Sequence, residues 1–350
     1  MTIHQKYIKR CIQLAKNGLG TTYTNPLVGS VIVYNNTIIG EGWHYQSGGA
    51  HAEVNAIAAV KDTSLLKHAT IYVSLEPCSH HGKTPPCSDL IIRKGIKKVV
   101  IGTVDTFAKV SGTGIQKLMN AGCDVIVGVL EKECIELNKR FFTFHNKKRP
   151  YIILKWAETY DGYIAPDVSE KREPIWITNT YSRQLVHRWR AEEQAILVGN
   201  QTVIKDNPKL TIRDWSGTNP IRIIIDKSGK ILQNSAILDQ TVKTIVITSK
   251  KHKPVNNDFL IYKDIDSWSN STEEICNLLY KYNIQSVIIE GGTHTIQSFI
   301  NNNLWDEARI FKGTSMFKSG IKAPIYKGAM ISKKTILNDT LTIIKNNTIK

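Results

Sequence analysis

His51 and Glu53, in the stretch GGAHAEVNA, and Cys78 and Cys87, which bracket most of EPCSHHGKTPPC, are residues of this 350-residue chain whose types and spacing could do chemistry. Two cysteines nine positions apart among histidines, a lysine and prolines fit a metal site, a redox pair or a plain loop. Two thiolates do not complete a tetrahedral zinc shell, so a metal reading needs a further ligand, and His51 supplies it. Three protein ligands leave the fourth position open to water, which marks a catalytic rather than a closed structural site. Zinc lowers the pKa of that water from ~15.7 toward ~7. A nearby carboxylate, Glu53, can then take its proton and pass it to a leaving amine.

H-x-E followed by P-C and a second Cys is the order found in zinc deaminases, where the Glu is not a ligand. Each residue alone has a bland reading: a histidine near a helix start is usually a cap, and a single Cys pair is a weak signal. Here eight residues separate the cysteines where other deaminases place two. The extra residues predict a loop over the pocket mouth that brings His80, His81 and Lys83 toward substrate. Asn25, in TNPLVGSVIV, precedes the first predicted strand, where its amide could grip a base edge or merely form a turn. His44, in GEGWHYQSGGAHAE, is either a substrate contact or a satisfied loop histidine.

The elements that must position these groups follow from periodicity. VGSVIVY and TIIGEGW flank Asn35–Asn36 and predict a hairpin. HAEVNAIAAV has helical spacing and ATIYVSL reads as a strand. Alternating helices and strands then continue to about residue 140. FHNKKRP is basic and ends in proline, so it reads as a linker, and the boundary is placed there: domains 1–146 and 147–350. Strands are expected at 151–157, 195–199, 221–226, 244–248, 285–290 and 305–311, with helices at 180–191, 271–282 and 293–302. The segment 250–272 reads as loop. The fold class is α/β in both halves.

The formal charge is +16, but the lysines are spread over both halves. A dispersed field of this kind favours anionic small molecules over nucleic acid as main partner. No apolar run reaches bilayer length. The first eighteen residues lack a signal-peptide pattern and predict an amphipathic helix with Ile3, Tyr7, Ile8, Cys11 and Ala15 on one face. Six scattered cysteines are expected to be reduced. The expectation is a cytoplasmic enzyme, homo-oligomeric, without a membrane partner.

In the second half no G-x-G-x-x-G follows a strand, so a Rossmann site is not supported. VIIEGGTHTIQSFI runs strand, Glu290, Gly291–Gly292, helix, an arrangement whose free N–H groups suit a phosphate or whose glycines serve only packing. Arg190 and Arg213 carry guanidinium forks that suit a substrate phosphate, or else they form ion pairs.

NPLVG, GWHYQSGGAHAE and EPCSHHGKTPPC together resemble the bifunctional riboflavin-biosynthesis deaminase/reductase family, and the resemblance spans about residues 1 to 315. It implies a cytidine-deaminase-like α/β/α domain followed by a dihydrofolate-reductase-like α/β domain. The implied reactions are zinc-dependent deamination of 2,5-diamino-6-(5-phosphoribosylamino)pyrimidin-4(3H)-one and NADPH-dependent reduction of the ribosyl group to ribityl. His51, Cys78 and Cys87 are the implied ligands, Glu53 the proton shuttle, and Asn25, His44 and Lys83 substrate contacts. For NADPH the resemblance implies Ala157, Trp176, Thr202 and Asp206, then the turn Gly292, Thr293, His294, Thr295, Ile296, Gln297 and Ser298. For the second substrate it implies Pro174, Arg190, Leu210, Arg213 and Glu290. Gln194 departs from the family, where Asp is common. A nucleobase or tRNA deaminase with an unrelated second domain, or a protein with zinc only as a staple, are the competing readings.

Overall fold

The alternation of apolar side chains along the first strands sends successive residues to opposite faces, and both faces are covered. A computed structural model of the chain describes residues 1–80, 85–105, 112–167, 175–249 and 257–347. They fall into two compact units, Met1–Lys148 and Arg149–Lys350.

The first unit contains α1 (Ile3–Ala15), β1 (Gly29–Tyr34), β2 (Thr37–Trp43), α2 (Ala52–Ala58), β3 (Thr70–Leu75), α3 (Cys87–Arg93), β4 (Lys98–Thr103), α4 (Thr113–Asn120), β5 (Asp124–Val127), α5 (Glu131–Leu137) and α6 (Lys139–Lys147). Its sheet runs β2-β1-β3-β4-β5. The β1–β2 hairpin pairs antiparallel and β3, β4 and β5 run parallel. Ile32, Ile71 and Val73 pack under Ala56 and Ile57 of α2 and Ile91 of α3, while Val31, Val33 and Tyr72 pack on Tyr7, Ile8 and Cys11 of α1. This is the expected α/β/α layering. Gly42 sets how closely α2 lies on β2, because a Cβ there would stand 2.4 Å from the Ala56 nitrogen.

Two local expectations fail. Ile3 is 45% exposed instead of joining the buried face of α1. FHNK, residues 144–147, is not a linker but the end of α6, a helix in which Phe141, Phe142 and Phe144 are buried. Lys148 ends that helix with a left-handed φ of 54°.

The second unit contains β6 (Tyr151–Glu158), β7 (Tyr163–Ala165), α7 (Thr180–Glu192), β8 (Ala195–Gly199), α8 (Asn200–Asp206), β9 (Ile221–Ile225), β10 (Thr244–Ile247), β11 (Leu260–Lys263), α9 (Ser271–Lys281), β12 (Ser286–Glu290), α10 (Thr293–Asn301), β13 (Glu307–Lys312), β14 (Ile321–Lys322), β15 (Ala329–Ile336) and β16 (Asp339–Lys345). A nine-stranded sheet runs β11-β10-β9-β8-β12-β6-β13-β16-β15 and is parallel from β11 to β13. Ile275 and Leu279 of α9 with Ile296 and Phe299 of α10 cover one face, and Val186 and Trp189 of α7 cover the other. β11 lies inside the segment expected to be loop. Its four residues show too little pattern to be seen without their partner β10.

Candidate functional site

Within the first unit, β3, α2 and α3 all end or begin at one place. His51 is the N-cap of α2, Glu53 lies in its first turn at 3% exposure, and Cys87 opens α3. His51 Nδ1 is 3.5 Å from Cys78 Sγ and 3.3 Å from Cys87 Sγ, and the three ligand atoms lie within 4.8 Å of one another. Bonds of about 2.0 Å to nitrogen and about 2.3 Å to sulfur would set tetrahedral N and S ligands about 3.5 Å apart. The donor set therefore fits zinc in type and spacing.

The Cys87 backbone N–H donates to Cys78 Sγ at 3.3 Å. The hydrogen bond from the Cys87 thiol draws Cys78 well below the usual thiol range against its burial, and His51 helps; Cys87 is pushed up by the same hydrogen bond and by burial. Burial pushes the Glu53 carboxyl up to about 7, with the charge of Cys78 adding to the effect.

His51, Glu53 and Cys78 line a cavity of about 440 Å³ whose wall also includes Asn25, His44, Glu76, His80, Asp105 and His145. His44 Nδ1–H donates to the Ala50 carbonyl at 3.0 Å, so Nε2 accepts from the Asn25 amide nitrogen at 3.0 Å. Burial also lowers the pKa of this ring. Both ring nitrogens of His44 are thus engaged, and His44 and Asn25 both line the cavity. Lys83 and His81 lie outside the described residues. Glu76, Asp105 and His145 escaped sequence reasoning; only Glu76, directly before Pro77–Cys78, had a local signal.

In the second unit Glu290 ends β12 and is the register partner of Lys155 on β6. Arg190 donates from Nη2 to Glu290 Oε2 at 2.9 Å, from Nε to Oε1 at 3.3 Å, and from Nη1 to the Thr211 carbonyl at 3.3 Å. In this structure its guanidinium pairs with Glu290 and the Thr211 carbonyl, in partly buried surroundings. Lys155 Nζ stands 3.9 Å from Glu290 Oε2, and nothing in the apolar run YIILKWAE marked it. Arg213 is exposed, and among the described residues its guanidinium makes no ion pair. The Arg213 backbone N–H donates to His187 Nδ1 at 3.2 Å. Leu210 is buried with a left-handed φ of 54°.

β8 and β12 are neighbours, and α8 and α10 start at their ends. Gly291 has φ +120°, and a Cβ on it would meet Thr202 Oγ1 at 2.7 Å; Gly292, the N-cap of α10, faces open space. Thr295 is pressed on Gly199, where a Cβ would meet its Oγ1 at 2.6 Å. Thr202, Gly292 and Thr295 are thus brought together at adjacent strand ends.

The rest of the expected turn is engaged otherwise. Thr293 bonds the Lys322 carbonyl, Gln297 bonds both backbone groups of Ile325, Ile296 is in the core and Ser298 bonds the Thr295 carbonyl. His294 is exposed, and Asp206 ends α8 with its carboxyl pushed up by burial. Ala157 lies on β6 opposite Phe311, and Trp176 lies over the Arg183 guanidinium at 4.4 Å. Pro174 lies outside the described residues. Gln194 accepts from the Gln285 N–H at 2.7 Å and donates to the Asn283 carbonyl at 3.1 Å, so this departure has a structural use that needs an amide.

Residues 1–103 match the model of the cytidine and deoxycytidylate deaminase zinc-binding region, and residues 150–317 match the RibD C-terminal domain. The chain is 39% identical over 351 residues to riboflavin biosynthesis protein RibD of Aquifex aeolicus, covering 96% of each. It is 42% identical over 300 residues to RibD of Actinobacillus pleuropneumoniae, covering 82% of this chain and 77% of the relative. The crystal structure of a diaminohydroxyphosphoribosylaminopyrimidine deaminase/5-amino-6-(5-phosphoribosylamino)uracil reductase from Thermotoga maritima superposes with TM-score 0.90 at 37% identity, over 98% of this chain and 99% of that one. RibD of Acinetobacter baumannii superposes with TM-score 0.88 at 30% identity, over 98% of each. The cytidine-deaminase-like and dihydrofolate-reductase-like architectures expected from the sequence are both present. With this identity running through both halves, the chain belongs to the RibD family of bifunctional riboflavin-biosynthesis deaminase/reductases.

Proposed function

We propose that residues 1–146 hydrolytically deaminate 2,5-diamino-6-(5-phosphoribosylamino)pyrimidin-4(3H)-one, and that residues 147–350 reduce the product, 5-amino-6-(5-phosphoribosylamino)uracil, with NADPH. The observation that carries the first half is the trio His51, Cys78 and Cys87 beside buried Glu53, with His51, Glu53 and Cys78 lining one cavity. His51, Cys78 and Cys87 would hold zinc, which would lower the pKa of a water in the open position toward ~7. Glu53 takes the proton of the attacking water and delivers it to the departing amine, so ammonia leaves and a ring carbonyl forms. Asn25, set by His44, holds the ring edge, and Lys83 is assigned to the same substrate.

In the second half Gly292, Thr202 and Thr295 offer a cofactor cradle at strand ends, where ligands of open α/β sheets collect. The other cofactor assignments, Ala157, Trp176, Asp206, Thr293, His294, Ile296, Gln297 and Ser298, belong to this proposal. For Ile296 and Gln297 the contact would be through backbone or through a rearranged side chain. Arg213 takes the substrate phosphate. Leu210, Glu290 and Arg190 are assigned to the same substrate, as is Pro174.

A homo-oligomeric state and a cytoplasmic location are part of the same proposal. Six unbridged cysteines suit a reducing compartment. No helix among the described residues is long and apolar enough to cross a membrane.

The test is ammonia release and NADPH oxidation on the phosphorylated intermediates, with cytidine, guanine and tRNA as controls. Activity on a control alone would replace the first assignment. No NADPH oxidation on the deaminated intermediate would remove the second.

A further inference from the structure

Glu76 follows β3 directly, precedes Pro77–Cys78 and is 5% exposed in the cavity wall. Its carboxylate accepts backbone N–H groups from residues 29 to 39 positions further along. Oε2 receives Asp105 at 3.3 Å and Gly112 at 3.0 Å; Oε1 receives Gly114 at 2.9 Å and Ile115 at 3.4 Å. In return the Glu76 N–H donates to the Thr103 carbonyl at 3.0 Å. Gly112, Gly114 and Ile115 belong to the first turn of α4, whose N–H groups have no partner inside the helix. Gly112, its N-cap, has no side chain to serve them. Glu76 does so from a distant part of the chain.

The grip extends past Glu76. A Cβ on Gly114 would lie 2.1 Å from the Pro77 carbonyl oxygen, and Ser79 Oγ meets Thr113 Oγ1 at 2.6 Å. The residues on both sides of Cys78 are therefore pressed on the same turn of α4. On its other side the Cys78 carbonyl accepts from Ser88 N at 3.1 Å and Ser88 Oγ at 3.0 Å, in the first turn of α3. Cys78 is the metal ligand without a regular element of its own, so its position depends on these clamps.

We propose that Glu76 is a positioning residue of the deaminase centre: by binding the first turn of α4 it fixes Pro77–Cys78–Ser79, and with them the Cys78 sulfur, at the spacing from His51 and Cys87 that the metal requires, and it holds Asp105 in the cavity wall. This rests on the zinc reading above. A helix cap with no bearing on the metal would show in thermal stability alone, whereas a positioning group alters the metal site itself.

The experiment uses the full chain as Glu76→Gln and Glu76→Asp. Glutamine keeps the size but offers one acceptor oxygen and turns an NH2 toward N–H groups; aspartate keeps the charge one methylene short. Zn²⁺ affinity is measured by chelator competition, the Co²⁺-loaded visible spectrum is recorded, and deaminase kcat and KM are compared with reductase activity of the same sample. Glu76→Gln is expected to lose about 10- to 100-fold in zinc affinity, to shift the Co²⁺ bands and to lower kcat more than it raises KM. Reductase activity is expected to be unchanged, with Glu76→Asp between the two. Wild-type zinc affinity, Co²⁺ spectrum and kcat in a variant with only a lower Tm would overturn the proposal. Should Glu76→Gln fail to fold, the same readouts on Glu76→Asp decide. A wild-type chain that binds no zinc would overturn the underlying reading, and this proposal with it.

Discussion

Arg190 and Glu290, a hundred positions apart, close on each other through two hydrogen bonds of 2.9 and 3.3 Å, with their side chains only 12% and 10% exposed. Lys155 Nζ stands 3.9 Å from the same Oε2 that Arg190 Nη2 binds. Removing one partner of a buried pair is costly because the other charge stays buried and uncompensated. Glu290→Gln leaves two cations facing a neutral amide, so unfolding of the second unit should lose roughly 3–5 kcal/mol. A urea titration that showed less than about 1 kcal/mol would mean the pair is solvated.

Acid should weaken the same unit in two steps. Burial raises the Glu290 pKa, but Arg190 and then Lys155 outweigh it and hold the carboxyl at about 2. A depressed carboxylate adds stability above its ordinary value of 4.5, and that stability is lost as pH falls from there through about 2. Burial and then Arg190 depress His187 below its ordinary 6.5, against the pull of Asp214; Arg213 adds to the lowering and Glu290 opposes it. Its contribution has the same sign: full above 6.5 and lost as pH falls through the folded value. Protonation would also set N–H against the Arg213 N–H that His187 Nδ1 now accepts. His187→Gln should abolish the upper step and leave the lower one. Denaturant midpoints from pH 8 to 3 that fall equally in both proteins would contradict this.

Binding and chemistry should separate in the first unit. Cys87→Ala is expected to lose its zinc, measured by metal analysis, together with ammonia release. Glu53→Gln should keep about one zinc per chain but lose roughly 10²–10⁴-fold in deamination, the range typical of a general acid–base group. Reductase activity should survive both changes. Zinc retained in Cys87→Ala would refute the ligand, and near-normal ammonia release in Glu53→Gln would refute the shuttle.

The paired glycines should respond in opposite ways. Gly291 sits at φ +120° against Thr202 Oγ1, so Gly291→Ala should cost about 1–3 kcal/mol of stability. Gly292 has φ −68° and open space in front of it. Gly292→Ala should leave stability nearly unchanged, and Gly292→Val should raise the KM for NADPH by blocking backbone approach. An unchanged KM in Gly292→Val would move the cofactor elsewhere.

Asn25 and His44 should act as one unit. Each single alanine variant is expected to raise the KM for deamination. The double variant should be no worse than the weaker single, because residues sharing one hydrogen bond are not additive. Independent, multiplying effects would show that His44 touches substrate by itself.

The sequence by itself determined the layered α/β architecture and the zinc quartet, because both rest on short-range order. Strand alternation and helix spacing repeat within ten residues, and His51 with Glu53 occupies the cap and first turn of one helix. Cys78 follows β3 by three residues and Cys87 opens α3, so their convergence with His51 follows once β3 lies beside β1. What only the tertiary structure decided are partnerships across long separations. That Arg190 pairs with Glu290, and that the two nitrogens of His44 meet Ala50 and Asn25, could not be read from the sequence. Lys155 and Glu76 are single charges beside apolar strands, and their meaning depends on neighbours 135 and about 35 positions away that no local pattern specifies. FHNK has linker composition, yet it is helical because Phe141, Phe142 and Phe144 of the same helix are buried. Burial turns each of these groups into a constraint, and burial is a property of the assembled chain.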